Sequence, residues 1–297
     1  VEGAVRFDEP LAGYTTYRIG GPARALVTPT SAEDIANVLR FTAETGTRWL
    51  ALGLGSNVLV ADAGFDGVVI RLGKGLDQVT RGVAGDETVW SVGAGLPTPV
   101  LARQTAAAGL AGVHRLVGVP GSVGGGIYMN AGAHGQDFSQ VARAVDLVQP
   151  DGALARVSAQ AIPWEYRSSG LGDRIVVGGV LAFVPGEPGD LEQEIRRLFK
   201  WRKAGTPFNE PCCGSVFRNP VPSGHAAEAR TAGQLVDALG LKGYTVGGAQ
   251  VSSKHANYIV NTGKATASDV LAVIEHVRER VLQEFGIELT LEVKVVQ

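Results

Sequence analysis

Forty-one glycines stand among 297 residues, roughly twice the ordinary frequency of about 7%. They gather in short segments between strand-like runs, not in a low-complexity linker. Glycine loses more conformational freedom on folding than any other residue, so such segments belong where the chain turns tightly or lets something approach its backbone. The longest, Gly109 to Gly135, contains Val117-Gly118-Val119-Pro120-Gly121-Ser122-Val123-Gly124-Gly125-Gly126, then Met129-Asn130-Ala131-Gly132-Ala133-His134-Gly135. That composition favours a ligand role, two glycine-rich turns wrapping an extended dinucleotide. A second segment, Gly53-Leu54-Gly55-Ser56-Asn57, follows the apolar run Trp49–Leu52. Its successive amides suit either an anion-binding concavity for a pyrophosphate or an ordinary tight turn. It is not the Rossmann fingerprint, because Val58 stands where the third glycine belongs and no helical pattern follows.

The length predicts two or three domains. With 45% hydrophobic and 19% charged residues, the chain can bury a real core. A net charge of −2 and a pI near 6.3 imply no broad basic surface, so neither nucleic acid nor anionic membrane is expected as a partner. Any phosphate in a ligand must be held by local cations. No apolar run approaches the roughly 20 residues of a membrane helix, and Val1–Arg6 has no signal-peptide core. The chain opens on Val, which predicts a native start elsewhere. Cys212 and Cys213 are adjacent, which suits neither a long-loop disulfide nor a zinc site, and a reducing cytoplasm fits.

Residues 25–72 read as strand, helix, strand, with a helix start at Ser31-Ala32-Glu33-Asp34, an apolar stripe Ile35, Val38, Leu39, Ala43, and a stop at Gly46. Strands are predicted at 58–60, 68–70, 89–92, 144–148 and 175–183, and a helix over 98–108. Pro150-Asp151-Gly152 marks a turn, and Pro185-Gly186-Glu187-Pro188-Gly189 a linker before a helix over 191–201. Thr266-Ala267-Ser268-Asp269 opens a helix whose stripe is Val270, Ile274, Val277, Val281 and Phe285 and whose stop is Gly286. The end alternates, with Ile287, Leu289, Leu291, Val293 and Val295 on one strand face and Glu288, Thr290, Glu292 and Lys294 on the other.

Three further segments carry chemistry. In Trp164-Glu165-Tyr166-Arg167-Ser168-Ser169, Arg167 is either a bidentate clamp for a carboxylate or a surface ion pair. In Cys213-Gly214-Ser215-Val216-Phe217-Arg218-Asn219-Pro220, Ser215 is either a proton donor or an ordinary surface hydroxyl, and no Gly-x-Ser-x-Gly elbow marks it as an acyl-transfer nucleophile. Glu292 reads by itself as a solvated strand carboxylate.

In this order the segments resemble one family. Thr15-Thr16-Tyr17-Arg18-Ile19-Gly20-Gly21-Pro22-Ala23 is similar to its N-terminal signature. The segments at 53–57, 117–135, 166–169 and 214–220 follow, then Leu241-Lys242-Gly243, Gly247-Gly248-Ala249-Gln250-Val251-Ser252-Ser253-Lys254-His255-Ala256-Asn257 and Leu291-Glu292-Val293. The family is UDP-N-acetylenolpyruvoylglucosamine reductase, and the resemblance runs from about residue 14 to the end. The short connection after Tyr166-Arg167 resembles the compact subtype that lacks an extra substrate-covering loop.

The resemblance implies an α+β, three-domain FAD-binding fold of the vanillyl-alcohol-oxidase-like (PCMH-type) class with a C-terminal substrate-binding domain. It implies FAD-binding subdomains over 1–72 (joined by the last strand, 288–297) and 73–200, and substrate binding over 201–287. It implies non-covalent FAD, NADPH as reductant and a UDP-sugar substrate, in peptidoglycan precursor synthesis in the bacterial cytoplasm. Hydride passes from flavin N5 to the enolpyruvyl methylene. Arg167 faces the substrate carboxylate, Ser215 protonates the alpha carbon, and Glu292 helps polarise the developing enol. FAD contacts carry over to Gly53, Leu54, Gly55, Ser56, Asn57, Val58, Gly118, Pro120, Gly121, Ser122, Gly124, Gly125, Asn130, Ala131 and Gly132. Nucleotide contacts carry over to Lys203, Asn219 and Lys242, with Lys200 and Arg202 adding charge. Two positions depart from the pattern: His134 stands at a substrate position where many members carry Tyr, and Cys212-Cys213 replaces a Ser-Ala pair. The thiols read as small buried apolar groups. The competing readings are an FAD-dependent alcohol or sugar oxidase of the same fold and an FAD-carrying module without catalysis. The sequence leaves the oligomeric state open and is compatible with a monomer.

Overall fold

The computed structural model describes residues 1–220 and 230–297. In chain order the first part comprises β1 (Ala4–Pro10), β2 (Pro22–Thr28), α1 (Ala32–Thr45), β3 (Trp49–Leu52), β4 (Val58–Val60), β5 (Phe65–Arg71), β6 (Val79–Ala84), β7 (Glu87–Gly93), α2 (Thr98–Ala107) and α3 (Val123–Tyr128). There follow β8 (Ala142–Val148), β9 (Leu154–Ser158), β10 (Ile175–Pro185) and α4 (Pro188–Gly205). The last part holds α5 (Ala232–Ala238), β11 (Ala249–Val251), β12 (Ile259–Asn261), α6 (Ala267–Phe285) and β13 (Lys294–Val296).

The chain divides into two compact units. One is Val1–Glu9, Ala23–Leu54 and Asp66–Trp201; the other is Pro10–Pro22, Gly55–Phe65 and Arg202–Gln297. These units cut across the three expected spans, because residues 10–22 and 55–65 group with the C-terminal part.

In the first unit one sheet runs β1-β2-β5-β3, with β3 parallel to β5. α1 closes where its sequence predicts: the Ser31 hydroxyl accepts from Asp34 N at 3.1 Å, and Gly46 ends the helix at φ 64°. Of its expected stripe Ile35, Val38 and Leu39 are buried together with Ala36, whereas Ala43 is exposed and Thr42 is buried instead. The second sheet runs β9-β8-β10-β7-β6, every pair antiparallel. Trp90 on β7 lies opposite Leu181 on β10, and its ring meets Phe183 edge-on at 5.6 Å.

The expected linker at 185–189 is not one. β10 runs to Pro185 and α4 starts at Pro188, where a missing N–H costs nothing. Between them Gly186 N donates to Gly109 O at 2.9 Å, and Pro185 pairs with Leu110. α4 is therefore longer than the predicted 191–201. Glu194 ties it to residues 114–118, accepting from Arg115 Nε at 3.1 Å and pairing with the buried His114 ring at 3.0 Å.

In the second unit Thr245–Val246, β11 and β12 form an antiparallel sheet, and α6 packs on it through buried Val270, Val273, Ile274, Val277 and Val281. Each such burial is worth roughly 1.5–3 kcal/mol. Thr266 and Asp269 complete a reciprocal capping box, and the Asp62 carboxylate accepts from Ala267 N and Ser268 N at 2.7 and 3.0 Å. β13 pairs in parallel with β4. The expected single strand from residue 287 is broken. Upstream of β13 only an isolated Leu291–Phe217 bridge forms, and Leu289, Val293 and Val296 are the buried positions. The reason is that Glu292 N and Val293 N both donate to Val216 O, at 2.8 and 3.4 Å. Two residues opposing one acceptor shift the alternation.

Buried Asp34 supplies a pH test. Burial opposes its ionisation, but donors at Thr30 N, Glu2 N and Thr30 Oγ1 outweigh that and hold its pKa below the ordinary aspartate value. A depressed native pKa contributes stability that is present above the unfolded value of about 3.9 and is lost as pH falls through the native value. Asp34→Asn should melt below the parent at pH 7, and the gap in Tm should narrow below about pH 4.

Candidate active site

The Gly109–Gly135 segment does not fold as two turns. A 3-10 turn spans His114–Gly118, and Val-Gly-Gly-Gly-Ile-Tyr forms α3. Three glycines in a helix cost roughly 1 kcal/mol each against alanine, so packing must select them. A Cβ on Gly124 would stand 2.6 Å from Ala94 Cβ, and one on Gly126 would enter the Phe138 ring. Val123 and Ile127 fill the core beside them. Gly125 is exposed, with only Ser122 Oγ within 4 Å of a would-be Cβ, at 3.8 Å.

That arrangement narrows the expected amide cradle. Val123 N and Gly124 N already donate to Leu96 O and Ala94 O, at 2.8 and 2.9 Å. What remains on the open side is the bare face of Gly125 and the Ser122 hydroxyl. Ser122 is 1% exposed and its Oγ has no hydrogen-bond partner. It also stands 2.6 Å from the place a Gly53 Cβ would occupy. A buried hydroxyl left unpaired costs about 1–3 kcal/mol, and a ligand oxygen or nitrogen relieves that cost. Gly53, Ser122 and Gly125 thus fit a bound polar group that approaches the backbone closely.

The following residues are set by specific bonds. Asn130, at φ 42° and buried, donates from Nδ2 to Glu165 O at 3.0 Å and accepts from Ser139 N at 3.0 Å. Ala131 N donates to Gly126 O, and Gly132 pairs with Asp137. Glu165 and Ser168 exchange backbone bonds, making Tyr166-Arg167 the tip of a tight hairpin with Arg167 at φ 59°. The Arg167 guanidinium lies 4.7 Å from the Tyr166 ring centroid and donates from Nη2 to Gly132 O at 2.9 Å. Arg167 and the glycine segment therefore meet in the first unit. His134, exposed at φ 53°, meets the Trp201 ring edge-on at 5.2 Å, and its carbonyl accepts from Arg115 Nη1.

The second unit brings other predicted residues together. Gly55 adopts φ 63° and its carbonyl accepts from Thr16 N at 3.0 Å; Asn57 donates from Nδ2 to Glu292 O at 3.1 Å, and Val58 pairs with Lys294. Ser215 is half-buried, one residue before the Val216 carbonyl that receives Glu292 N. The Tyr258 phenol, whose pKa burial raises, lies beside Ser215. Asn219 is less available than its motif suggests: its Oδ1 accepts from Ala232 N at 3.1 Å, at the start of α5. Lys242 Nζ donates to Asp237 at 2.9 Å, and Lys203 is exposed on α4. His255, which the sequence reading left without a role, lies among these groups. Burial, then the cations of Lys242 and Arg202, lower its pKa, so the ring is neutral near pH 7. Its Nδ1 accepts from Asn257 N at 3.2 Å.

Cys213 is buried beside Tyr17, and burial, above all, pushes its thiol pKa well up; Cys212 shifts the same way for the same first reason. Thiols held protonated are inert.

The glycine-walled segment and the sheets define an FAD-binding fold: residues 23–158 match the FAD binding domain family. Residues 206–296 match the family described as UDP-N-acetylenolpyruvoylglucosamine reductase, C-terminal domain. The UDP-N-acetylenolpyruvoylglucosamine reductase of Halalkalibacterium halodurans is 43% identical over 99% of this chain and 95% of its own length. That of Rubrobacter xylanophilus is 42% identical with the same coverage. The crystal structure of UDP-N-acetylenolpyruvylglucosamine reductase from Thermus caldophilus superposes with a TM-score of 0.82 at 32% identity, covering 100% of this chain and 99% of that one. 6-Hydroxy-D-nicotine oxidase from Arthrobacter nicotinovorans shares the fold alone, with a TM-score of 0.50 at 19% identity over 62% of this chain and 43% of its own. The chain is therefore an FAD-dependent oxidoreductase with a PCMH-type fold. It belongs to the UDP-N-acetylenolpyruvoylglucosamine reductase family, whose reaction serves peptidoglycan synthesis.

Three substitutions check this site. Gly124→Ala should force α3 off Ala94, cost about 1–3 kcal/mol, and lower both Tm and the FAD retained on purification. Gly189→Ala, with open space around it in the first turn of α4, should leave both unchanged. Cys213→Ala should keep turnover within a few-fold of the parent; a collapse would give the thiol a chemical role.

Proposed function

We propose that the chain reduces UDP-N-acetylglucosamine enolpyruvate to UDP-N-acetylmuramate with NADPH as reductant, using Ser215 as proton donor, Arg167 as carboxylate clamp and Glu292 as the acid that polarises the enol. The observation that carries this reading is the convergence of Ser215 and Glu292: one carbonyl, Val216 O, neighbours the first and receives the amide of the second.

FAD, when bound, supplies the hydride; Gly53–Val58, Gly118, Pro120–Ser122, Gly124, Gly125 and Asn130–Gly132 hold it in this reading. The protein's own work is placement and charge. Adding hydride to the enolpyruvyl methylene moves negative charge toward the carboxylate, and the Arg167 guanidinium stabilises that charge where it develops. Gly132 O and the Tyr166 face fix the direction of the guanidinium, so little reorganisation remains. The Ser215 O–H bond breaks as the alpha-carbon C–H bond forms. Lys203, Asn219 and Lys242 take the UDP moiety, with Lys200 and Arg202 adding charge, and His134 stands at a substrate position. The net charge of −2 then matters little, because the cations are local. The three-part division into FAD subdomains 1–72 and 73–200 and a substrate domain 201–287 belongs to the same reading, as does a site of action in the bacterial cytoplasm. Among the described residues no helix is long and apolar enough to cross a membrane.

The test is anaerobic. The flavoprotein should bleach with NADPH and recolour on addition of UDP-N-acetylglucosamine enolpyruvate without oxygen. Ser215→Ala should bleach at a rate within a few-fold of the parent and recolour about 100-fold more slowly or worse. Recolouring by oxygen alone would favour an oxidase, and an unimpaired Ser215→Ala would remove the serine from the mechanism.

A further inference from the structure

Asn257 bonds to the Ser215 loop through its side chain and its backbone. Its Oδ1 accepts from Phe217 N at 2.9 Å, its Nδ2 donates to Phe217 O at 2.8 Å, and its carbonyl accepts from Val216 N at 2.9 Å. The side-chain amide thus imitates a strand partner, satisfying both backbone groups of one residue. Asn257 is 4% exposed and Phe217 2%, so water cannot substitute for either bond.

The other edge of the same loop is held by residues 290–293. Val216 O receives Glu292 N and Val293 N, and Arg218 N donates to Thr290 O at 2.9 Å. Residues 216–218 are therefore clamped on both sides, with Ser215 at the mouth of the clamp. The turn that carries Asn257 is itself fixed: Tyr258 N donates to His255 O at 3.0 Å, and Ser252 N to Tyr258 O at 2.8 Å. It places Tyr258, 6% exposed, beside Ser215.

We propose that Asn257 is the positioning residue of the proton-donor loop, its amide holding both backbone groups of Phe217 so that Ser215 keeps one place between Tyr258 and the segment 290–293. The proposal rests on the reading of Ser215 as proton donor. An amide is required because the two partners have opposite polarity: one N–H needs an acceptor and one C=O needs a donor, 40 residues away in sequence. A carboxylate supplies only the acceptor, whereas a protonated carboxyl supplies both. Burial raises a carboxyl pKa, which brings that switch into an accessible range.

The experiment compares the full-length flavoprotein, Asn257→Asp and Ser215→Ala, with three readouts at pH 8 and pH 6. These are the rate of flavin reduction by NADPH, the rate of reoxidation by UDP-N-acetylglucosamine enolpyruvate under anaerobic conditions, and amide hydrogen exchange of the peptide covering 214–218. For Asn257→Asp at pH 8, reoxidation should fall at least ten-fold and exchange in 214–218 should rise above the parent at the same pH. Reduction by NADPH should stay within two-fold. At pH 6 reoxidation and protection should both return toward the parent. Reoxidation at the parent rate at pH 8 overturns the proposal. So does a loss that is equal at both pH values or extends to reduction by NADPH, because it marks general damage. If Ser215→Ala reoxidises normally, the proton-donor reading falls and the proposal falls with it. If Ser215→Ala fails while Asn257→Asp does not, only the proposal is lost.

Discussion

Close approach between backbones is the constraint on which the first unit rests. Helix α3 lies on Ala94 and the Phe138 ring at distances that leave no room for a side chain at Gly124 or Gly126. The same contact sends two of its early amides into Leu96 O and Ala94 O. What this leaves for a ligand is consequently not a row of donors but the bare face of Gly125 and, buried just before the helix, one unpartnered hydroxyl, Ser122 Oγ. The Asn130–Gly132 turn begins where α3 ends, and Gly132 O in turn aims Arg167. One packing decision therefore propagates from the core to the cation of the proposed chemistry.

The second unit reaches its site by a different route. Here segments far apart in sequence, 55–58, 215–218, 255–258 and 290–293, are stitched by backbone bonds and by two asparagine side chains, Asn57 and Asn257. Arg202 and Lys242 bring positive potential to His255, whose imidazole stays neutral because burial and the two cations act in the same direction. A chain with slightly negative net charge can hold a diphosphate on these terms, since Coulomb energy follows distance and local dielectric, not total charge.

What could be read in the sequence was what is decided locally. α1 and α6 appeared with their caps, stripes and glycine stops, because Ser31, Thr266, Asp269, Gly46 and Gly286 act within one turn of their own helix. α3 was hidden, because three glycines become helical only when Ala94 and Phe138 are already in place. The final strand was overread: its alternation is regular to the eye, yet the shared acceptor at Val216 moves the buried face between Val293 and Val296. The grouping of 10–22 and 55–65 with the C-terminal residues has no local signal either. The expectation for Arg167, Ser215 and Glu292 rests on motif order alone. The bonds of Asn257 had no such signal, since a residue that pairs with a backbone 40 positions away leaves no periodicity behind.

The pairing of β13 with β4 sets the timing of assembly during synthesis. Val58 faces Lys294 and Val60 faces Val296, so this ladder joins residues more than 230 positions apart. Closing so long a loop is entropically costly and slow compared with forming hairpins or helices. The first unit, complete by Trp201, can collapse while the ribosome is still translating. Residues 58–60 must wait for a partner made more than 230 residues later. Until then, Leu59 and Val60, buried in the finished protein, remain uncovered. That interval is when a nascent chain of this kind is most exposed to aggregation and most dependent on chaperones.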